Sequence, residues 1–108
     1  MKYIVAIAAV LLLGGTVLAQ AADDAAAEAL VKKSKCLTCH SVDKKKDGPA
    51  YKDVAAKYKG KPDAEEKLYK HLTTHPTVKV DGREEKHESL KTTDDKEIKN
   101  VISWILSR

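Results

Sequence analysis

Phenylalanine is missing from all 108 residues, aromatic side chains make up only 5% of them, and tryptophan and methionine occur once each, as Trp104 and Met1. A chain so poor in large apolar rings buries little surface unaided. Cysteine is confined to Cys36 and Cys39, so a single C-x-x-C pair carries whatever sulfur chemistry there is. No strand-helix-strand alternation surrounds that pair, which argues against the frame of a thioredoxin-like redox couple. Internal repeats and low-complexity linkers are also absent, and the length allows one domain at most. Charge of one sign is not in excess to any useful degree. With 20 basic and 16 acidic residues the net charge is +4, a balance that says little about partners.

What is present begins with Cys36-Leu37-Thr38-Cys39-His40, the C-x-x-C-H order of covalent c-type haem attachment. Two thiols one helical turn apart can reach the two vinyl groups on one edge of a porphyrin, and the adjacent imidazole then points at the iron. His40 is the proximal ligand on this reading. A plain disulfide or a redox pair would leave the histidine after the second cysteine unexplained. Zinc would draw on Cys36, Cys39, His71 and His75, but about thirty residues separate Cys39 from His71, against roughly 12–15 in a zinc finger.

The start of the chain reads as a secretory signal peptide. Lys2 supplies a short positive start, Tyr3 to Leu18 is almost wholly apolar, and Ala19-Gln20-Ala21 offers a small-x-small cleavage site. An uncleaved anchor is the alternative, disfavoured by Gly14-Gly15 and the cleavage site. Residues 1–21 are therefore expected to be removed, with cleavage after Ala21 or Ala22, leaving 22–108 as one domain in a periplasm.

Within that domain the pattern is helical. Asp23 to Lys33 opens with acids and ends with bases, as a helix dipole favours, with Leu30 and some alanines facing the core. A polar loop from Ser41 to Pro49 follows His40. Tyr51, Val54, Ala55 and Tyr58 repeat at helical spacing before Gly60. Pro62 and three acids open a third helix whose face holds Leu68, Leu72 and, at its margin, His71. The residue before Pro76 resists helix. Beyond it Val78 and Val80 alternate with polar residues, giving a short extended piece that ends in an Asp81-Gly82 turn. In the last helix Thr92 or Thr93 is the expected cap, Ile98, Val101, Ile102 and Ile105 the core stripe, and Trp104 a packing residue against the first helix.

Together these segments resemble a small bacterial class I cytochrome c of respiratory and denitrifying electron transfer. The resemblance rests on the attachment motif, on Asp47-Gly48-Pro49-Ala50-Tyr51-Lys52-Asp53-Val54-Ala55-Ala56-Lys57-Tyr58, on Leu68 to Leu72, and on Ile98 to Arg108 with Trp104-Ile105-Leu106-Ser107. It implies an all-α fold of three to four short helices wrapped around one covalent haem c, with the first and last helices packed together. It also implies that the Pro49 carbonyl accepts a hydrogen bond from His40 and that assembly follows export. The departure is the sixth ligand. The family presents a methionine from the loop before the last helix, and here Met1 leaves with the signal peptide. His87, 17 residues before Trp104, falls where that methionine would with a one-residue insertion, and is the expected ligand. His75 is the runner-up, and His71 follows it.

Two imidazoles stabilise ferric iron more than a thioether does, so the resemblance implies a low-potential one-electron carrier rather than an enzyme. Its partners would be redox proteins, met through an acidic docking face if Lys32, Lys33, Lys35 and Lys44 to Lys46 ring the haem edge; a merely solvated charged loop is the alternative. No nucleic acid and no lasting membrane insertion are expected, and a monomer is. The rival function is a CO- or NO-binding haem protein whose distal histidine dissociates; a small peroxidase ranks below it, for want of a distal acid–base pair.

So small a domain needs the haem to complete its interior. A Cys36→Ala/Cys39→Ala double variant is therefore expected to be largely unfolded by circular dichroism, and a cooperative, native-like melt would contradict this.

Overall fold

The computed structural model describes residues 22–108, so the expected signal peptide lies outside the described residues. Helix α1, Asp24–Lys33, starts where the Asp23 side chain accepts the backbone N–H of Ala26, and it ends on Lys32 and Lys33. Its core stripe is Ala27 and Val31. The expected Leu30 is half-buried at the flank of that stripe. Lys35 then takes a left-handed backbone (φ 62°), reversing the chain into one 3-10 turn, Cys36–Thr38.

Helix α2, Tyr51–Tyr58, runs until Gly60, whose φ of 74° suits a residue without a side chain. Helix α3, Ala64–Thr73, buries Ala64, Leu68 and Leu72. A hairpin follows, β1 Thr77–Val80 and β2 Arg83–Lys86, antiparallel with Thr77 opposite Lys86 and Val80 opposite Arg83. Asp81 and Gly82 both have positive φ (50° and 77°), the two-residue turn whose twist matches that of the strands it joins. This hairpin is the one departure from an all-helical chain among the described residues. β2 is Arg-Glu-Glu-Lys and fully exposed; its pairing comes from the turn, because it has no apolar alternation to announce it.

Helix α4, Asp95–Leu106, is the spine against which α1, α2 and α3 all pack. Its buried face, Ile98, Val101, Ile102, Trp104 and Ile105, represents on the order of 10 kcal/mol of apolar transfer free energy. α1 is latched to it end to end. The Asn100 side chain accepts from Asp23 N–H (2.8 Å) and donates to the Asp23 carbonyl (2.9 Å), while Arg108 reaches Asp24 at 3.4 Å. Trp104, 2% exposed, meets Tyr51 of α2 edge-on at 5.4 Å, with the Arg108 guanidinium 5.0 Å over its ring. Trp104 also shares one core cluster with Ala27 and Val31 of α1.

The cap of α4 also differs from expectation. Asp94 caps it, accepting from the N–H groups of Lys96 (2.8 Å) and Glu97 (3.4 Å). Thr92 sits one step back, its hydroxyl accepting from Asp94 N–H and donating to Glu97. The carboxylate displaces the threonines because it also faces the positive end of the helix dipole. Asp94→Ala is expected to lower stability in urea denaturation by about 1 kcal/mol, and Thr93→Ala to stay within about 0.5 kcal/mol of the parent.

Candidate functional site

The 3-10 turn ends by presenting His40. The His40 N–H donates to the Cys36 carbonyl (2.9 Å) and Gly48 N–H to the Cys39 carbonyl (2.7 Å), closing the polar loop onto the motif. The imidazole then meets three constraints. Its Nδ1 lies 2.7 Å from the Pro49 carbonyl; a carbonyl can only accept, so Nδ1 carries the proton and Nε2 keeps its lone pair. Tyr51 stacks on the ring at 5.1 Å with planes 17° apart. Gly48 passes so close that a Cβ there would come within 2.5 Å of Cε1. A side chain at position 48 would have to displace a ring held from two other sides.

Cys36 is buried and Cys39 half-buried, and both are free thiols. Burial pushes the Cys36 thiol up, with the Tyr51 hydroxyl beside it partly opposing, and burial likewise raises Tyr51. A thiol pushed in that direction is a poor thiolate nucleophile, so the pair is unlike a reactive redox couple.

Beside the motif opens a cavity of about 630 Å³, lined by Cys36, Cys39 and His40, by His71 and His87, and by the hairpin residues Val78 and Val80. Leu68, Leu72 and Ile105 floor it. The volume lies within the roughly 300–1,000 Å³ of cofactor clefts. Its charged lining is mixed: Lys35, Lys57, Lys79 and Lys86 stand with Asp47, Asp53, Glu85 and Glu88. Of the six lysines expected to ring it, Lys35 does so, while Lys46 bonds the Leu37 carbonyl at 2.8 Å.

The histidines separate clearly. His87 follows the hairpin in a coil segment pinned at several points: His87 N–H to the Pro76 carbonyl (2.8 Å), Leu90 N–H to the Leu72 carbonyl (2.9 Å) and Lys91 N–H to the hydroxyl of fully buried Ser34 (2.8 Å). Its ring centroid stands 6.0 Å from that of His40. One metal between two imidazoles requires about 6.3 Å, from two metal–nitrogen bonds near 2.1 Å and half a ring on each side. The spacing, the apolar floor and the two thiols fit a haem held by Cys36, Cys39, His40 and His87.

His71 lies against His87, centroids 4.1 Å apart and planes tilted 51°. His75 is exposed, at φ 48°, with its backbone N–H on Ser89, and lies outside the cavity. Of the two lesser candidates, His71 lines the cavity and His75 does not. The signal for His71 was its place beside Leu68 and Leu72 on the buried face of α3. Tyr51 and Gly48, which hold the His40 ring, were read as helix core and as turn.

Burial, then the neighbouring His71 and His40 imidazoles, push His87 down to about 4. Burial, with His40 and Lys57 nearby, also lowers His71. Both are neutral near pH 7, the form in which an imidazole binds metal.

Residues 25–108 match the family described as Cytochrome c. Cytochrome c-551 of Pseudomonas aeruginosa is 52% identical over 58 residues, covering 54% of this chain and 56% of that protein. Cytochrome c-551 of Stutzerimonas stutzeri is 47% identical over 62 residues, covering 57% and 60%. The chain thus matches little more than half the length of these two relatives. Among solved structures, the class 1 cytochrome MtoD of Sideroxydans lithotrophicus ES-1 is 48% identical, with a TM-score of 0.77 over 81% of this chain and 97% of that one. Nitrosomonas europaea cytochrome c552 gives 32% identity and a TM-score of 0.58 over 74% and 96%.

Proposed function

The chain belongs to the cytochrome c family, and we propose that it serves as a one-electron carrier of the periplasm, with His40 and His87 as axial ligands and a correspondingly low potential. Family membership implies one covalently attached haem c, which supplies an Fe(III)/Fe(II) couple when bound. The observation that carries the ligand reading is the 6.0 Å separation of the His40 and His87 rings across a cavity bordered by Cys36 and Cys39.

On this reading each residue has a distinct task. Cys36 and Cys39 form the two thioethers and so fix the porphyrin edge beside the 3-10 turn. His40 offers Nε2 to the iron, its orientation set by the Pro49 carbonyl, by Tyr51 and by the close passage of Gly48. His87 offers a second neutral imidazole from the opposite wall. With His40 and His87 both holding the metal, substrate would have no route to it, and the remaining chemistry would be electron exchange at the cavity mouth. A second imidazole in place of a thioether favours the ferric state, which is the reason for a low potential.

Redox partner proteins are read as docking at that mouth. Because lysines and carboxylates share its lining, steering by a purely acidic partner is weaker than the lysines alone suggest. Export to the periplasm rests on the Lys2 start, the apolar run and Ala19-Gln20-Ala21. The rival, a CO- or NO-binding protein, draws on one observation: His87 sits outside any helix or strand.

His87→Met is expected to raise the midpoint potential in spectroelectrochemical titration, and reduced parent protein to show no spectral change with CO. An unchanged potential would remove His87 from the iron. Stoichiometric CO binding would favour the rival.

A further inference from the structure

We propose that His71 is the hydrogen-bond acceptor for the Nδ1–H of His87, the distal counterpart of the Pro49 carbonyl behind His40, and thereby fixes the rotation of the His87 ring. This rests on the reading of His87 as the sixth ligand.

An imidazole bound to metal through Nε2 keeps its proton on Nδ1, and in metal sites that proton is almost always given to an acceptor. His40 has such an acceptor in the Pro49 carbonyl at 2.7 Å. His87 has no well-formed one: its Nδ1 is buried without a hydrogen-bond partner, a costly state for a polar group removed from water, although the Glu88 backbone comes near the ring. Against it lies the His71 ring, 4.1 Å away between centroids. A neutral imidazole carries one donor and one acceptor nitrogen. Rotation of His71 about its Cβ–Cγ bond turns a lone pair toward His87 Nδ1.

The two residues are mounted differently. His71 rides on α3 between Leu68 and Leu72, both buried, so its backbone is stiff. His87 comes from a coil segment outside any helix or strand, tied to α3 where Leu90 N–H donates to the Leu72 carbonyl. The bond between the two rings would therefore fix the rotation of the ligand ring from a helix-borne side chain. Glu88 also lines the cavity and is the competing acceptor, through its carboxylate or through its backbone carbonyl; the second would show in the NMR measurement below as a missing coupling to His71.

A hydrogen bond from the ligand's N–H makes the imidazole a stronger donor and stabilises ferric iron. In the haem-loaded protein, His71→Leu should keep a low-spin spectrum but raise the midpoint potential and alter the spread of the electron paramagnetic resonance g values. His71→Gln, which retains an acceptor, should return both toward the parent. In the parent itself, 15N-labelled and ferrous, a coupling across the hydrogen bond between His87 Nδ1 and a His71 nitrogen should appear by NMR. That measurement decides the matter even if His71→Leu loads haem poorly.

Parental potential and g values in His71→Leu, or equal displacement of both variants, would overturn the proposal. So would a potential moved by Glu88→Gln and not by His71→Leu. A parent spectrum without the bis-imidazole signature would mean that the reading of His87 had failed, and the proposal would fall with it before any variant is made.

Discussion

An interior that residues 22–108 do not fill by themselves is the constraint on which this structure turns. The apolar side chains are spent on one side of the molecule, where α4 receives α1, α2 and α3. Between that packed side and the hairpin stays a cavity of about 630 Å³. A domain of this size has little stability to spare, and side chains such as Leu68, Leu72 and Ile105 that border the cavity go without packing partners across it. The space therefore belongs to a bound group. The 3-10 turn, the close approach of Gly48 to His40 and the stacking of Tyr51 are features of the wall that the group meets.

The same cavity explains the state of its histidines. His40, His71 and His87 share one cleft in which each is half-buried, and a second positive charge there would be opposed both by burial and by the first. Depression of His71 and His87 below the ordinary histidine range follows from that arrangement. The resulting rings hold lone pairs at neutral pH without any nearby base. Distance then selects among them: His87 stands across from His40 at 6.0 Å, while His71 backs onto His87.

Much of this was legible in the chain because the signals were local. Tyr51 to Tyr58 matches α2 residue for residue, since its four apolar positions recur at one period and Gly60 stops them. The Asp81-Gly82 turn was visible for a similar reason. β2 was not, because Arg83-Glu84-Glu85-Lys86 has no apolar face and is paired by the turn's geometry alone. Asp94 was overlooked as the cap of α4 because Thr92 and Thr93 are equally good cap residues, and the choice depends on which N–H groups the carboxylate reaches. At the site, the C-x-x-C-H order stood out in one dimension. The relation of His71 to His87 depends on how the coil after the hairpin is bonded to α3 through Leu90 and Leu72, and spacing along the chain carries no trace of it.

On the proposed ligation by His40 and His87, the two ligands are supported differently. On the proximal side the group behind the ligand is a backbone carbonyl, which no substitution at position 49 removes, although it can be shifted. On the distal side the proposed acceptor is a side chain, and a single codon change replaces it. A backbone acceptor holds the proximal geometry constant as the sequence varies, whereas a side-chain acceptor on α3 leaves the donor strength of His87 open to adjustment. Potential can then be tuned at position 71 without touching either ligand, the thioether attachment or the packed face of α4. Such tuning suits a carrier whose task is to match the potentials of the proteins it meets, and would serve little purpose in a protein whose haem must open to bind gas.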